Sequence, residues 1–456
     1  MTSALQMADM VRRGETNAEN LVKGALDLIE KTDNQLKAWA YIDTAGAIAS
    51  AKLLDEIRDS GRALGALHGV PIGLKDIVDT ADMPTEFGSL AFKGHQPNQD
   101  ATIVSKLREA GAVILGKTVT TPFAFMDPSE TRNPNNMEYS PGGSSSGSAA
   151  AVSAGHVPVA IGTQTNGSVI RPASFCGVFG FKPSSGMVPR SGVLQTSETL
   201  DQVGVFSRYY EDAALISDII SAYDPNDANS FCRPRPNMLD GVCNRPNETP
   251  KLLWFEMPYF KGFSEDCLEG MDKVISALDG CVIKKDGKPT VFEAFLKAQR
   301  VIHHFEIARN LSNVRQKSPK LLSLQLRETL DVGSKIDLKD YHQSLTQKEA
   351  AISYFQNFFG EIDAIIAPSS LGEAPLLSEG NTGNPVCSTI WSLCGFPCLT
   401  IPALVSRNNM PIGVQLIGKP ECDDKLLGIG GWLLEKLNNH GVGKLTVKKS
   451  DGRHVF

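Results

Sequence analysis

Residues 141–165, PGGSSSGSAAAVSAGHVPVAIGTQT, give the clearest local indication of the fold. A string of glycines and serines usually marks a flexible linker. Here an alanine-rich segment follows directly, and after it come Gly155 and a short apolar run. This order predicts a buried helix, a glycine at its C-terminal end and a buried strand. The glycine-serine string therefore lies against the start of a helix and does not mark a domain boundary.

The same order of elements occurs earlier in the chain. ATIVSKLREAGAVILGKT (101–118) predicts a helix, a glycine and a strand, and HGVPIGLKDIVDT (68–80) predicts a buried strand that leads into a loop. Helices that alternate with short apolar strands are typical of an α/β fold, in which helices cover both faces of a sheet. We therefore expect an α/β protein with a central sheet.

The remaining segments fit one domain that spans residues 1–456. About residues 1–65 are predicted to be helical, and one helix begins after Asn17 as its N-cap. A core at about 66–220 precedes a long connection at about 225–250, which is rich in proline and asparagine. We predict a surface connection there, with a lid over a site as the alternative. The part from 251 to 456 contributes strands, beginning with KLLWFEMP (251–258), and a mainly helical stretch over 291–360.

The composition limits the classes of function. The 456 residues carry a net charge of −6 and no block of basic residues, which argues against nucleic acid as a partner. No apolar run approaches the roughly 18 residues of a membrane span, and the N-terminus lacks the apolar core of a secretory signal. The nine cysteines show no C-x-x-C spacing, which favours reduced thiols over a metal site. We expect a cytoplasmic protein without metal or cofactor.

A second glycine-serine stretch, GTQTNGSVIRPASFCGVFGFKP (162–183), is the candidate for a catalytic loop. It contains no phosphate-binding glycine motif and no G-x-S-x-G around Ser168. Backbone N–H groups in such a loop can converge on one point, as an oxyanion hole requires. A serine nucleophile needs a base, and Lys75 at the end of an apolar run would serve if burial lowered its pKa. A solvated lysine at the end of a strand is the alternative.

Four segments together resemble the amidase-signature hydrolases. They are GVPIGLKD (69–76), GGSSSGSAAAVSAG (142–155), the stretch at 162–183, and GFPCLTIPA with MPIGVQLIG (395–418). The resemblance covers nearly the whole chain, and its central block is highly specific. It implies the amidase-signature fold, with a mixed, twisted sheet between helices. It also makes a homodimer a reasonable expectation.

The resemblance implies a Ser–cisSer–Lys triad. In this chain Ser168 would be the nucleophile, Ser144 after a cis peptide bond would carry protons, and Lys75 would be the base. The N–H groups of the Thr165–Ser168 loop, which includes Asn166 and Gly167, would form the oxyanion hole. Ser145 would support the triad by hydrogen bonding.

Three residues depart from the family pattern. Gln164 stands where an acid is common, so a charge pair made there is lost. Asn166 replaces a glycine, which is tolerable because asparagine adopts positive φ more readily than most residues. Arg171 lies one place later than usual, and its role is left open. None of these changes removes a member of the triad.

Apolar residues are the candidates for the substrate pocket. By the resemblance Phe123 falls near a pocket position, and Phe125 and Met126 would join it. Trp391 is a further candidate. Such residues suit an uncharged or aromatic acyl group, although packing in the core is the alternative for each of them.

The predicted function is hydrolysis of the carbon–nitrogen bond of a small, uncharged or aromatic amide through an acyl-enzyme on Ser168. The expected partners are that substrate and water. One alternative is a carbamate or ester hydrolase with the same triad. A second is the glutamine-hydrolysing subunit of a tRNA-dependent amidotransferase, and a third is a scaffold that binds a ligand without turnover.

Overall fold

The structure, a computed structural model, describes residues 2–244, 246, 248–256 and 262–442. The helices are α1 (Ala4–Arg12), α2 (Ala18–Leu36), α3 (Thr44–Asp59), α4 (Thr102–Glu109), α5 (Ser146–Ala154), α6 (Ile170–Cys176), α7 (Tyr210–Ile220), α8 (Met238–Cys243), α9 (Glu265–Ala277), α10 (Pro289–Asn310), α11 (Ser312–Lys317), α12 (Leu324–Gly333), α13 (Leu338–Gln356), α14 (Val386–Cys394) and α15 (Asp423–Asn439). The strands are β1 (Trp39–Ile42), β2 (Pro71–Lys75), β3 (Val113–Thr118), β4 (Val159–Gln164), β5 (Phe179–Lys182), β6 (Gln202–Ser207), β7 (Leu252–Glu256), β8 (Val282–Asp286), β9 (Ala364–Pro368), β10 (Cys398–Val405) and β11 (Pro411–Gly418).

The described strands form a single sheet in the order β1-β3-β2-β4-β6-β5-β10-β11-β9-β7-β8. Strand β2 pairs in parallel with both β3 and β4. The pairs around β6 and β10 are antiparallel, and β7 is parallel to β8 and β9. The sheet is therefore mixed, and the predicted α/β fold is confirmed.

Side chains that alternate along the strands build an apolar core on each face of the sheet. In β3, Val113 and Leu115 pack with α2, α3 and α5, whereas Ile114 between them belongs to the cluster that contains α4, α7 and α15. This alternation follows from the two-residue period of a strand. Helices thus cover both faces, as expected for strands without polar faces.

The two helix–glycine–strand patterns have the predicted structure. Helix α5 ends at Gly155, which adopts a φ of 80° and donates its N–H to helix carbonyl groups as a C-cap. Strand β4 follows and pairs in parallel with β2. Helix α4 leads into β3 in the same way, and the predicted cap of α2 is also present, since the side chain of Asn17 accepts the N–H of Asn20.

The proline- and asparagine-rich stretch at 225–250 contains the short helix α8, which the sequence analysis did not predict. Asn237 caps this helix, and the Asp218 carboxylate accepts the N–H groups of Met238 and Leu239. Residues 245 and 247 of this stretch, and 257–258 of the strand predicted at 251–258, lie outside the described residues. None of the described helices combines the length and the apolar content that a membrane crossing needs.

Candidate active site

Lys75 and Ser144 meet at the C-terminal end of β2. Lys75 is the last residue of β2, and its Nζ donates to Ser144 Oγ at 2.7 Å and to Thr163 Oγ1 of β4 at 2.8 Å. The lysine is fully buried, and the loss of hydration lowers its pKa to about 7, while the charge of Asp201 acts in the opposite direction. A large part of the Lys75 population is therefore neutral near pH 7 and able to accept a proton.

The loop that carries Ser144 is held from two sides. The Gly143–Ser144 peptide bond is cis, as the resemblance implied. The Ser145 hydroxyl donates to the Thr163 carbonyl at 3.2 Å and accepts the N–H of the same residue at 3.3 Å. On the other side, Arg171 Nη2 donates to the Gly143 carbonyl at 2.8 Å. These contacts tie Ser145 to β4, and its support of the triad stays a prediction.

Ser168 lies in the loop between β4 and α6 and is half-buried, so it is more open than Ser144. Its hydroxyl makes no hydrogen bond to any residue that the structure describes, and in particular none to Ser144. The lysine and the first serine are thus brought together directly, whereas the predicted nucleophile makes no hydrogen bond to either of them within the described part of the chain. Hydrogen bonds between catalytic groups are often long in unliganded enzymes and tighten when substrate binds.

The Thr165–Ser168 loop offers unpaired backbone donors. In the described part of the chain, the N–H groups of Asn166, Gly167 and Ser168 donate to no protein acceptor. Thr165 Oγ1 instead anchors the loop, because it donates to the carboxylate of Asp201 at 2.5 Å. This arrangement suits an oxyanion hole, which needs free N–H groups on a fixed backbone.

Arg171 is buried beside this loop without an acidic partner among the described residues. Besides Gly143, its Nη2 reaches Thr382 Oγ1 at 3.3 Å. Loss of hydration lowers its pKa to about 10. The side chain thus ties the cis-peptide loop to the loop around residue 382.

The candidate pocket residues have different surroundings. Phe123 is 1% exposed and its ring packs edge-on against Phe92, and Trp391 is fully buried against Phe355. This burial favours the core-packing alternative for both residues. Phe125 is also buried, at 7% exposed, and contacts the ring of His303, which favours core packing for it as well. Met126 is half-buried and remains a candidate.

A small cavity of about 10 Å³ lies beside Thr163, which contacts Lys75. It is lined by Ile77, Ala124, Thr163, Thr165, Arg190, Val193, Leu194, Gln195, Thr196, Asp201, Gln202 and Val203. Its two charged side chains are already engaged, since Arg190 forms an ion pair with Asp227 at 2.8 Å and Asp201 accepts Thr165. The cavity has room for about one water molecule and is too small for a substrate acyl group.

Sequence reasoning missed several residues near Lys75 and the Thr165–Ser168 loop. Thr163 and Asp201 contact or influence Lys75, while Thr389 and Ser392 of α14 contact the oxyanion loop. Thr163 could have been found, since it is a hydroxyl residue on the strand that leads to Ser168. The two α14 residues carry no local signal, because their partners are more than 220 positions away in the chain.

Comparison with known proteins gives consistent results. A family model described as Amidase matches residues 20–427. The A subunit of the glutamyl-tRNA(Gln) amidotransferase of Acidothermus cellulolyticus is 42% identical over 98% of this chain and 96% of its own length. The corresponding protein of Natranaerobius thermophilus is 31% identical over 92% of each chain.

Solved structures share the fold. The peptide amidase from Stenotrophomonas maltophilia has a TM-score of 0.83 and 26% identity, with 97% of this chain and 98% of that one covered. A protein from a complex that bears on the origins of an s-triazine catabolic enzyme has a TM-score of 0.90 and 25% identity, with 98% and 100% covered. The sequence match and the shared fold together show that this chain belongs to the amidase family, whose members hydrolyse carbon–nitrogen bonds.

Proposed function

We propose that the chain hydrolyses a carboxamide through an acyl-enzyme on Ser168. The observation that carries the proposal is the 2.7 Å hydrogen bond from a buried Lys75, whose pKa is lowered to about 7, to the Ser144 hydroxyl. Neutral Lys75 takes the Ser144 proton, Ser144 takes that of Ser168, and Ser168 Oγ bonds to the carbonyl carbon. When the C–N bond breaks, the proton returns through Ser144 to the leaving amine. Water then hydrolyses the acyl-serine by the same route.

The oxyanion loop supports this step. In the tetrahedral intermediate the carbonyl oxygen becomes negatively charged and needs donors that are already in place. We assign this role to the N–H groups of Asn166, Gly167 and Ser168, with Thr165 as the anchor of the loop through its bond to Asp201. One such donor contributes about 3–4 kcal/mol of transition-state stabilisation in enzymes where it has been measured.

The side-chain amide of glutamine is the first candidate substrate. The similar proteins above are named as the A subunits of glutamyl-tRNA(Gln) amidotransferases. In that reaction the chain would release ammonia for use elsewhere in an assembly. This candidate displaces the small amide that the apolar residues had suggested. It also conflicts with the expectation of no nucleic-acid partner, because the charge of one chain says nothing about RNA that other chains of an assembly bind.

A free-standing amidase for a small neutral amide is the second candidate. The likeness to a peptide amidase favours it. Carbamates and esters follow the same acyl-enzyme route and stay possible substrates of this kind. The two candidates differ in whether the acyl group is charged.

Ser168→Ala tests the mechanism without knowledge of the substrate. A fluorophosphonate probe forms a covalent bond with an activated serine, so we expect stoichiometric labelling of Ser168 in the wild-type chain and at least a 10³-fold loss in Ser168→Ala. Ser153→Ala on α5, where the hydroxyl only donates to the Cys176 carbonyl, is the control and should label normally. Labelling of Ser168→Ala at the wild-type rate would remove the proposed nucleophile.

Ammonia release distinguishes the substrate candidates. The chain is incubated with glutamine, with benzamide and with butyramide, alone and together with the other subunits of a relative's amidotransferase. Turnover of glutamine that requires those subunits supports the first candidate. Turnover of the neutral amides by the chain alone, with glutamine inert in both settings, overturns it in favour of the second.

A further inference from the structure

Helix α14 contacts the oxyanion loop through two hydroxyl side chains on the same face. Ser392 Oγ donates to the carbonyl oxygen of Asn166 at 2.5 Å and accepts Gln164 Nε2 at 3.0 Å. One turn earlier, Thr389 Oγ1 donates to the side-chain oxygen of Asn166 at 2.7 Å. Ser392, Thr389 and Gln164 are all buried, so water competes little for these bonds.

The bond from Ser392 to the Asn166 carbonyl also orients the N–H group of Gly167. The Asn166 carbonyl and the Gly167 N–H belong to one planar peptide unit, and in a trans unit they point in opposite directions. A carbonyl held toward α14 therefore directs the Gly167 N–H away from α14. Glycine has wide conformational freedom of its own, so the orientation of this donor depends on such a contact.

Gln164 joins the same contact to the start of α6. Its Oε1 accepts the N–H groups of Val169 at 2.9 Å and Ile170 at 3.0 Å, while its Nε2 donates to Ser392. One neutral amide thus binds both the residues that follow Ser168 and the helix that holds Asn166. This explains how the loop keeps its order although Gln164 replaces the acid of the common pattern.

We propose that Ser392 is a positioning residue that orients the Gly167 N–H for the oxyanion, with Thr389 as a second hold on Asn166. The proposal rests on the proposed acyl-enzyme function and adds to it the residues that pre-organise the hole. The Gly167 N–H matters most when charge develops on the carbonyl oxygen. Loss of the Ser392 hydroxyl therefore weakens transition-state binding more than substrate binding.

The test uses Ser392→Ala and Thr389→Val, with Ser388→Ala as the matched control. Ser388 is buried on the same helix, and its hydroxyl has no partner among the described residues. We measure the rate constant of fluorophosphonate labelling, and kcat and KM for a p-nitrophenyl ester. Ser392→Ala is expected to slow labelling and kcat about 10–100-fold, below the 10²–10³-fold cost of losing a whole donor. KM should stay within about twofold.

Further readouts separate positioning from damage to the fold. Thr389→Ser retains the hydroxyl and should restore most of the rate that Thr389→Val loses. The pH midpoint of labelling should be unchanged in Ser392→Ala, because Lys75 and Ser144 are untouched. If the wild type labels but Ser392→Ala labels equally fast, or loses rate only in proportion to KM, the positioning role is refuted. A wild type that does not label refutes the proposed function instead.

Discussion

At the scale of single residues, the proposed acyl-enzyme mechanism depends on the amine of Lys75, which is kept away from water. Below pH 7 Lys75 is mostly protonated and cannot accept the Ser144 proton, because its pKa is lowered to about 7. We predict that labelling by fluorophosphonate rises about tenfold per pH unit below this value and levels off about one unit above it. Lys75→Ala should lose most of the rate and show no plateau, since only hydroxide then remains as base.

A second buried lysine provides the control for this pH dependence. Lys117 Nζ donates to the Val78 carbonyl and to Thr85 Oγ1, each at 2.6 Å, and burial lowers its pKa to about 8. Lys117→Met should keep the midpoint near pH 7, because Lys117 makes no contact with Ser144. If the midpoint moves in Lys117→Met but stays in Lys75→Ala, the titrating group is Lys117, and the role assigned to Lys75 is wrong.

Single residues were predictable where a local pattern marked them. Lys75 stood out as a charge at the end of an apolar run, and the glycine-rich surroundings of Ser144 and Ser168 identified the serines through the resemblance. Ser392 was not predictable, because a serine within an apolar helix has no distinguishing pattern. Its partner Gln164 is 228 residues away, and only the folded sheet brings the two together.

At the scale of elements, a buried carboxylate connects two helices to the segment that carries Asp201. Glu306 of α10 is fully buried and accepts the hydroxyl groups of Ser197, of Thr199 at 2.5 Å and of Tyr341 on α13 at 2.6 Å. A buried carboxylate needs hydrogen-bond donors such as these. The contact therefore holds α10 and α13 against residues 197–201.

Tyr341→Phe removes one of these donors and keeps the ring that stacks on Phe305. We predict a loss of about 1–3 kcal/mol in the free energy of unfolding, because the buried carboxylate loses one of its hydrogen-bond donors. Urea unfolding measures this, with Tyr354→Phe as the control. Tyr354 lies on the same helix, and its hydroxyl has no recorded partner within the described ranges. Equal stability changes in the two variants would contradict the role assigned to Glu306.

Elements were predictable where their own residues repeat a period. The helix–glycine–strand units around α5 and α4 fall in this class, and so does α2 with its asparagine cap. Strand β8 has the sequence VIKKD and lies half exposed at the edge of the sheet, so it lacks the apolar run of a buried strand. Helix α8 depends on the Asp218 carboxylate at its first turn, which is a tertiary contact.

At the scale of the whole molecule, the sheet joins distant parts of the chain. Strand β10 pairs with β5 on one side and β11 on the other, so residues near 400 continue a sheet that residues 71–207 begin. Strand β2, which carries Lys75, and β4, which leads to Ser168, are flanked by other strands on both sides. The strand order could not be predicted from the sequence, since pairing between remote strands leaves no periodic pattern. The α/β fold class was predictable because it follows from the alternation of helices and strands along the chain.

The close packing of this sheet against α5 leads to the last prediction. A Cβ atom on Gly162 of β4 would lie 2.6 Å from the Phe206 ring and 2.7 Å from Ser145 Oγ. Gly162→Ala should therefore destabilise the protein by about 1–3 kcal/mol, as overpacking in cores does. It should also slow labelling of Ser168, because Ser145 is displaced beside Ser144.

Gly24 on α2 offers the matched substitution. It is exposed, and a Cβ there would meet nothing within 4 Å. Gly24→Ala should stabilise the protein by up to about 1 kcal/mol, because alanine is the better helix former. Urea unfolding of both variants measures their free energies of unfolding, and the labelling rate of each variant measures the reactivity of Ser168. If Gly162→Ala labels as fast as Gly24→Ala, the packing of β4 does not position the loop that carries Ser144. The hydrogen bonds of Ser145 and Arg171 then hold this loop in place.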